Sequence, residues 1–211
     1  TLFFKEGFHQ EDIEAIQTFQ EAGNKFALCT GRPLGGVLAL MEGKIKPDYY
    51  VLCTGGLVLD KDYHVVYGQE IPFYLVKEVC QKYENETITG PHCLDKDYLY
   101  FAHVPSDAPS YIKQFDSIDE FIKKDLDIIK VEAFSHDEFE IQKVLPYFKD
   151  MKKIAYLSSY PDNVEITNEN AQKGLILEKV IDLLNIKKEE VIVLGDGMND
   201  ITLFERFPYS F

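Results

Sequence analysis

The stretch Val191-Ile192-Val193-Leu194-Gly195-Asp196-Gly197-Met198-Asn199-Asp200 decides the fold that this sequence predicts. Its first four residues are apolar and mostly β-branched, which is typical of a fully buried strand in a parallel sheet. A loop follows, and Asn199 or Asp200 can cap a helix predicted over residues 201–207. Because ligands of an open α/β sheet bind outside the carboxyl ends of its strands, we expect Asp196, Asn199 and Asp200 to project into a crevice.

The oxygen donors of this loop match the ligands that Mg²⁺ prefers. Mg²⁺ keeps several waters and usually binds one or two protein carboxylates together with phosphate oxygens of a substrate. The loop therefore predicts half of a metal–phosphate site. Taken alone, a Gly-Asp-Gly sequence fits a glycine-rich turn before a capped helix equally well, so the functional interpretation depends on other stretches of the chain.

The composition limits the classes of function. The chain has 211 residues, of which 45% are hydrophobic, and this suits one large domain or a core with a second module. The excess of 36 acidic over 22 basic residues argues against nucleic-acid and anionic-membrane partners. No apolar run reaches the roughly 18 residues of a membrane span. Cys29 and Cys53 lie in apolar runs, so we expect buried free thiols, as in a reducing cytoplasm.

The order of the predicted elements is that of an α/β protein with an insert. Helices alternate with short buried strands through residue 71, whereas residues 72–158 mix short strands and helices in an α+β pattern. The apolar pattern of the first part resumes at residues 164–166. We therefore predict a Rossmann-like core with a parallel sheet, built from residues 1–71 and 159–211, and an inserted α+β domain over residues 72–158.

Two further loops supply groups that suit a phosphate. Thr30 follows a predicted strand and offers a hydroxyl donor, and Gly31 allows backbone N–H groups to approach a ligand. Lys173 begins a predicted helix, where a cation is mildly unfavourable, so an anion or carboxylates are expected nearby. The alternative for Lys173 is a solvated surface charge. With the loop at Asp196, these groups are what phosphoryl transfer requires, because its catalysis is mostly positioning and electrostatic stabilisation.

Three motifs, in this order, carry a family resemblance. Cys29-Thr30-Gly31-Arg32-Pro33, then Lys173-Gly174, then Gly195-Asp196-Gly197-Met198-Asn199-Asp200 resemble the second, third and fourth motifs of the haloacid dehalogenase (HAD) superfamily. The long insert between the second and third motifs resembles that of Cof-type phosphatases with a C2B cap. The resemblance implies a Mg²⁺-dependent phosphatase that hydrolyses small phosphomonoesters, such as sugar phosphates or phosphorylated cofactors, through an aspartyl-phosphate intermediate.

The resemblance also implies a role for each matching residue. Thr30 and Gly31 would bind the phosphate, and Lys173 would neutralise both the phosphate and the nucleophilic carboxylate. Asp196 would ligate Mg²⁺. Asn199 would contact the phosphate or position the metal loop.

The implied role of Asp200 is to support the metal site or Lys173. The family's first motif, Asp-x-Asp-Gly-Thr, contains the nucleophile, and Thr1-Leu2 resembles only its end, so the nucleophilic aspartate is expected upstream of Thr1. A glycine-containing segment is likewise expected after Phe211. Thr54-Gly55 stands where family members often carry Asn-Gly, so a hydroxyl replaces an amide there.

Two other functions fit the same motifs. One is a catalytically inactive phosphoester-binding or regulatory protein on the HAD fold, and the other is a phosphotransferase that acts on sugar phosphates. In each case the partner is a small phosphoester. The sequence does not predict an oligomeric state.

Overall fold

Three sheets organise the part of the chain that the structure describes: one of four strands, one of six and one of two. The computed structural model describes residues 2–4, 7–82, 88–101, 104, 106–124, 126–135, 137–158 and 160–211. Among the helices in these ranges, none is long and apolar enough to cross a membrane.

The four-stranded sheet has the order β1-β2-β3-β4. Strands β1 and β2 pair in parallel, and the other two pairs are antiparallel. The predicted helices, strands and hairpin of this part of the chain are all present, with ends within two residues of those expected. The elements are α1 (Gln10–Glu21), β1 (Ala27–Cys29), α2 (Leu34–Met41), β2 (Tyr49–Leu52), β3 (Leu57–Asp60) and β4 (Val65–Gly68).

Both faces of this sheet are covered. On β2, Val51 packs with Ile176 and Val180, whereas the next residue, Leu52, packs on the other face with Ile13 of α1 and with α2. Successive side chains of a strand point to opposite faces, so a strand buried on both sides needs a continuous apolar run. This explains the unbroken apolar sequence of β2 and gives the α/β layering that the sequence predicts.

The six-stranded sheet has the order β7-β6-β5-β8-β10-β9. Its pairs are antiparallel except β6 with β7. Helices cover one face, where Val131, Ala133, Val164 and Ile166 join a single apolar cluster. The elements are α3 (Phe73–Lys82), β5 (Ile88–Leu94), β6 (Leu99–Phe101), β7 (Ile112–Gln114), α4 (Ile118–Ile122), β8 (Lys130–Ser135), α5 (Glu138–Lys149), β9 (Ile154–Leu157) and β10 (Asn163–Asn168). Parts of the predicted strands over residues 87–89 and 98–104, and the last residue of the helix predicted over 73–83, lie outside the described residues.

The prediction that residues 164–166 return to the first sheet is wrong. Strand β10 lies between β8 and β9 in the six-stranded sheet. The reason is visible in its alternation, since Val164 and Ile166 face the helices while Glu165 faces the other way. Such alternation suits a sheet covered by helices on one face only. The division into domains remains a proposal, and this pairing moves the proposed end of the inserted domain from residue 158 to 168.

The last part of the chain contains the two-stranded parallel sheet. Its elements are α6 (Lys173–Leu183), β11 (Ile192–Val193), α7 (Ile201–Phe204) and β12 (Tyr209–Ser210). The strand predicted as fully buried over residues 191–194 is buried on one face only, because Val193 is 7% exposed but Ile192 and Leu194 are 63% and 65% exposed. Val193 packs with Ile181 and Leu203, and the partly buried Val191 packs against the same cluster. The helix predicted to residue 207 ends at Phe204.

Helix α2 closely approaches loops that connect strands of the six-stranded sheet, which explains the helix-weakening Gly35 in its first turn. A Cβ on Gly35 would lie 2.5 Å from Tyr111 Cβ and 2.6 Å from the carbonyl oxygen of Asp97. The amide of Leu34 donates to the carbonyl of Lys96. Gly35 therefore lets the start of α2 contact the backbone of the loop between β5 and β6, which a larger residue would prevent.

Candidate functional site

The ammonium group of Lys173 is the centre of the candidate site. Lys173 is the first residue of α6, and its Nζ donates to Asp200 Oδ1 at 2.6 Å and to Asn199 Oδ1 at 3.0 Å. Lys173 and Asp200 are 4% and 6% exposed, respectively. The amino end of a helix disfavours a cation, and Asp200 supplies the carboxylate that the sequence led us to expect there. The alternative of a solvated surface lysine is wrong.

The second carboxylate oxygen of Asp200 shapes the loop after β11. Asp200 Oδ2 accepts the backbone N–H groups of Asp196 at 3.2 Å and Gly197 at 3.1 Å. Asp200 stands at the N-cap position of α7 but makes no side-chain cap bond there, so the predicted capping is replaced by these contacts. A Cβ on Gly195 would lie 2.8 Å from the Asp200 side chain, which explains a glycine at that position. One carboxylate therefore joins the lysine to the loop that carries Asp196.

Gly174 brings α6 against α7 and so fixes Lys173 over this loop. Its amide donates to Thr202 Oγ1 at 3.0 Å. A Cβ on Gly174 would lie 1.9 Å from the carbonyl oxygen of Thr202, far inside any real contact distance. The Lys-Gly pair of the third motif is thus explained by one residue that forms the ion pair and one that permits the helices to meet.

Thr30 lies directly after β1, as predicted. Its amide donates to the carbonyl of Val51 at 2.9 Å, and its carbonyl accepts the amide of Thr54 at 3.1 Å. Thr30 Oγ1 accepts the amide of Arg32 at 3.3 Å. A hydroxyl that accepts one hydrogen bond keeps its O–H to donate, which is the chemistry needed to bind a phosphate oxygen. The Arg32 side chain is exposed, whereas its carbonyl accepts the amide of Cys53 at 3.1 Å, in keeping with a mainly structural role.

The loop Cys53–Gly55 links Thr30 to Lys173. Thr54 bonds to the carbonyl of Thr30, and the next residue, Gly55, lies against the start of α6. A Cβ on Gly55 would lie 2.7 Å from the carbonyl carbon of Gln172 and 2.9 Å from the backbone nitrogen of Lys173. Thr30 and Lys173 are far apart in sequence, but they contact the neighbouring residues Thr54 and Gly55 of this loop.

Cys29, the first residue of the second motif, also lies near the ion pair. Burial raises the pKa of its thiol to about 11, with a smaller opposite effect of Lys173 and a smaller raising effect of Asp200. The thiol is therefore protonated at neutral pH and is not a nucleophile there. All four cysteines are free, as predicted, although Cys29 is half-buried rather than fully buried.

A buried ionic cluster adjoins this site and was missed by sequence reasoning. Lys130 Nζ lies 2.6 Å from Glu132 Oε2 and 3.1 Å from Glu165 Oε2, and Thr54 Oγ1 donates to Glu165 Oε2 at 2.7 Å. A Cβ on Gly31 would lie 3.4 Å from both Lys130 Nζ and Thr54 Oγ1. Burial alone would lower the pKa of Lys130, but the two carboxylates raise it above its usual range, so the ammonium stays charged.

The sequence did carry a signal for this cluster. Lys130 and Glu132 stand two residues apart in a strand that is otherwise apolar, and Glu165 stands between Val164 and Ile166. Charged residues at alternate strand positions share one face. The sequence could not show that Thr54 contacts Glu165 on this face, because the two residues are 111 positions apart.

The donor set of the loop fits a hard divalent cation. Asp196 is exposed, whereas Asp200 is buried and engaged by Lys173 and two amides. Asp196, on the same loop as Asn199, is the exposed carboxylate that could hold Mg²⁺. One carboxylate is the number that Mg²⁺ commonly takes from a protein when it keeps waters and binds a substrate phosphate.

Known proteins match this chain over most of its length. The family model of haloacid dehalogenase-like hydrolases matches residues 1–211. YxeH of Bacillus subtilis (strain 168) is 30% identical to this chain, over 93% of the chain and 77% of YxeH. The 5-amino-6-(5-phospho-D-ribitylamino)uracil phosphatase YwtE of the same organism is 27% identical, over 97% of the chain and 81% of YwtE.

Solved structures show the same fold. A haloacid dehalogenase-like hydrolase from B. subtilis superposes with a TM-score of 0.90 at 19% identity, covering 99% of this chain and 84% of that one. The HAD subclass IIB sugar phosphatase BT4131 superposes with a TM-score of 0.79 at 23% identity, covering 100% and 82%. These structures confirm the predicted α/β fold, and the family model together with the B. subtilis relatives confirms the predicted class of enzyme. The chain belongs to the haloacid dehalogenase-like hydrolase family.

Proposed function

We propose that this protein is a Mg²⁺-dependent phosphatase of small phosphomonoesters. The observation that carries the proposal is the cluster of Lys173, Asn199 and Asp200, joined through one loop to the hydroxyl-bearing Thr30. A cation, an amide and a hydroxyl donor beside an exposed carboxylate suit a phosphoryl group, whose negative charge is spread over three oxygens. The phosphatase YwtE and the sugar phosphatase BT4131 support this class of substrate.

Each of the site residues has a distinct part in the proposed reaction. Thr30 donates its O–H to a phosphate oxygen, and Lys173 offsets the charge of the phosphate and of the attacking carboxylate. Asp200 keeps Lys173 in place through the 2.6 Å contact. Asp196 would hold Mg²⁺, which supplies positive charge to the phosphoryl oxygens when bound. The nucleophile would be the aspartate of the family's first motif, and water would then hydrolyse the aspartyl phosphate.

The proposed substrates are sugar phosphates or phosphorylated cofactors. The name of YwtE includes a phosphorylated ribityl chain, which is consistent with a polyol phosphate. The domain that includes β8 and β10 would close over the site and exclude water, as lids of such enzymes do. We propose a cytoplasmic location, as the cysteine content predicts.

A phosphoester assay tests the proposal. The full-length protein is incubated with p-nitrophenyl phosphate, sugar phosphates, pyridoxal phosphate and flavin mononucleotide, with Mg²⁺ or with EDTA. We expect hydrolysis that EDTA abolishes and Mg²⁺ restores, and that the Lys173→Met variant lacks, which excludes a contaminating phosphatase. Hydrolysis without metal, or none with any substrate, would contradict the proposal. Release of inorganic phosphate, rather than transfer to a second sugar, separates a phosphatase from a phosphotransferase.

A further inference from the structure

Charged residues of the six-stranded sheet anchor a loop of the four-stranded sheet. Lys130 on β8 and Glu165 on β10 form an ion pair, and Glu165 Oε2 accepts the Thr54 hydroxyl at 2.7 Å. The side chains of Lys130 and Glu165 are 3% and 7% exposed, and Thr54 is 1% exposed. A hydrogen bond from a hydroxyl to a buried carboxylate is short and strong, because the acceptor carries a charge in a poorly solvated place.

The anchored loop has an unfavourable backbone. Cys53, Thr54 and Gly55 all have positive φ, at 49°, 60° and 98°. A β-branched residue such as Thr54 is an outlier in the left-handed region, because its Cβ crowds the following carbonyl oxygen there. Strain of this kind persists only where surrounding contacts hold it in place. The Glu165 carboxylate holds Thr54 by its side chain, and this is a contact that a glycine or an alanine could not form.

The same loop contacts both residues proposed to bind phosphate. The amide of Thr54 donates to the carbonyl of Thr30, and Gly55 packs on the backbone of Lys173. A shift of Thr54 would therefore move the backbone of Thr30 on one side and the start of α6 on the other. Active sites are sensitive to such shifts, because catalytic groups lose effectiveness steeply when displaced by about 1 Å.

We propose that Glu165 is a positioning residue of the site, which acts through the Thr54 hydroxyl to fix the loop Cys53–Gly55 and thereby Thr30 and Lys173. The inference rests on the proposed function in that Thr30 and Lys173 are taken as phosphate-binding groups. Glu165 itself touches no reacting atom in this scheme. Lys130 balances the charge of the buried carboxylate, and Glu132 completes the ionic cluster.

Isosteric substitutions test the link. Thr54→Val removes the hydroxyl at constant shape, whereas Thr54→Ser keeps it, and Thr18→Val makes the same change at an exposed position of α1. We expect Thr54→Val to lower kcat at least about tenfold and to weaken inhibition by inorganic phosphate by a similar factor. Thr54→Ser should recover most of both losses, and Thr18→Val should leave both values within twofold of wild type.

A double variant shows whether the two side chains act as one unit. We expect Glu165→Gln to lower kcat as well. The kcat of the double variant, Thr54→Val with Glu165→Gln, should be no lower than that of the more damaged single variant. Residues that act independently would instead give effects that multiply. Multiplying effects, or a Thr54→Val enzyme with wild-type kcat and phosphate inhibition but a lower melting temperature, would overturn the positioning role and leave only a structural one.

Hydrogen–deuterium exchange decides the link without reference to catalysis. Segments 28–34 and 170–176 should exchange at least about tenfold faster in Thr54→Val than in wild type, while the helix Glu138–Lys149 should not change. If wild-type protein hydrolyses no phosphoester, the proposed function fails, but the exchange result still stands as a test of the loop. Unchanged exchange in both segments would overturn the inference even in an active enzyme.

Discussion

The Lys173 ammonium lies 2.6 Å from the Asp200 carboxylate, and both side chains are more than nine-tenths buried. Neither charge is solvated well enough to stand alone. Loss of one partner from a buried ion pair leaves an uncompensated charge, which is more harmful than loss of both. The pair therefore contributes to the proposed chemistry and to the integrity of the fold at the same time.

Lys173→Met removes the charge while keeping a long side chain. We expect unfolding free energy to fall by about 3–5 kcal/mol, because Asp200 stays buried without its cation. We also expect phosphatase kcat to fall at least about 100-fold, as for loss of one group that stabilises transition-state charge. Chemical denaturation and steady-state kinetics measure the two effects.

The matched control is Lys187→Met, which removes an exposed lysine from the segment that follows α6. It should leave both stability and kcat near wild type. A Lys173→Met enzyme that keeps its kcat would contradict the proposed role of the ammonium, whatever its stability.

Gly174→Ala should damage both fold and site. Its Cβ would lie 1.9 Å from the carbonyl oxygen of Thr202, and backbone cannot move aside as a flexible side chain can. We expect destabilisation of about 3 kcal/mol or more, from overpacking and separation of α6 from α7. Gly36→Ala in α2 is the matched control, because the nearest atoms to its Cβ lie at 3.5 Å or more. A helical alanine should stabilise there by roughly 0.5–1 kcal/mol. Equal effects of the two variants on the denaturation midpoint would contradict this account.

How far the sequence could predict this molecule depended on how local each cause is. The loop around Asp196 and the position of Lys173 at the start of a helix follow from apolar runs, glycines and capping rules, which operate over a few residues. The pairing of Lys173 with Asp200 was reachable as well, since an unfavourable cation at a helix start calls for a carboxylate.

The failures concern partners that are distant in the chain. The apolar Val164 and Ile166 predict a core strand of the first sheet. The pairing of β10 with β8 and β9 instead puts it in the six-stranded sheet. The contact between Thr54 and Glu165 has no local signal at all. An apolar run does not show which of its residues other elements will cover, and Ile192 is exposed whereas Val193 is buried.

Asp196→Asn should separate metal binding from folding. The Asp196 carboxylate is exposed, so its replacement should leave the melting temperature without Mg²⁺ close to wild type. Loss of a residue that supports a metal ligand lowers metal affinity about 10- to 100-fold. Because Asp196 is proposed to bind Mg²⁺ directly, its replacement should weaken Mg²⁺ affinity by at least that factor. Calorimetric titration with Mg²⁺ measures the affinity, and Asp182→Asn, an exposed change on α6, is the control. Wild-type affinity in Asp196→Asn would place the metal ligand elsewhere.

His92 should make the fold sensitive to mild acid. It is 5% exposed, and the centroid of its ring lies 3.8 Å from that of Phe101. Its Nδ1 has no hydrogen-bond partner among the residues that the structure describes. Burial, together with a smaller effect of the nearby Lys130 charge, lowers the pKa of His92 from 6.5 to about 4. As pH falls below 6.5 the unfolded chain takes up a proton that the folded chain refuses, so stability present above pH 6.5 is lost progressively down to about pH 4. The difference between the two pKa values corresponds to a loss of about 3 kcal/mol.

His92→Leu should therefore flatten the decline of stability between pH 6.5 and pH 4, whatever its effect at pH 7. Carboxylates elsewhere contribute equally to wild type and variant, so the informative quantity is the difference between their two slopes. Urea denaturation at intervals of half a pH unit gives both slopes. Parallel slopes for His92→Leu and wild type would mean that His92 becomes protonated within the folded protein as readily as in the unfolded chain, in conflict with its burial between aromatic rings.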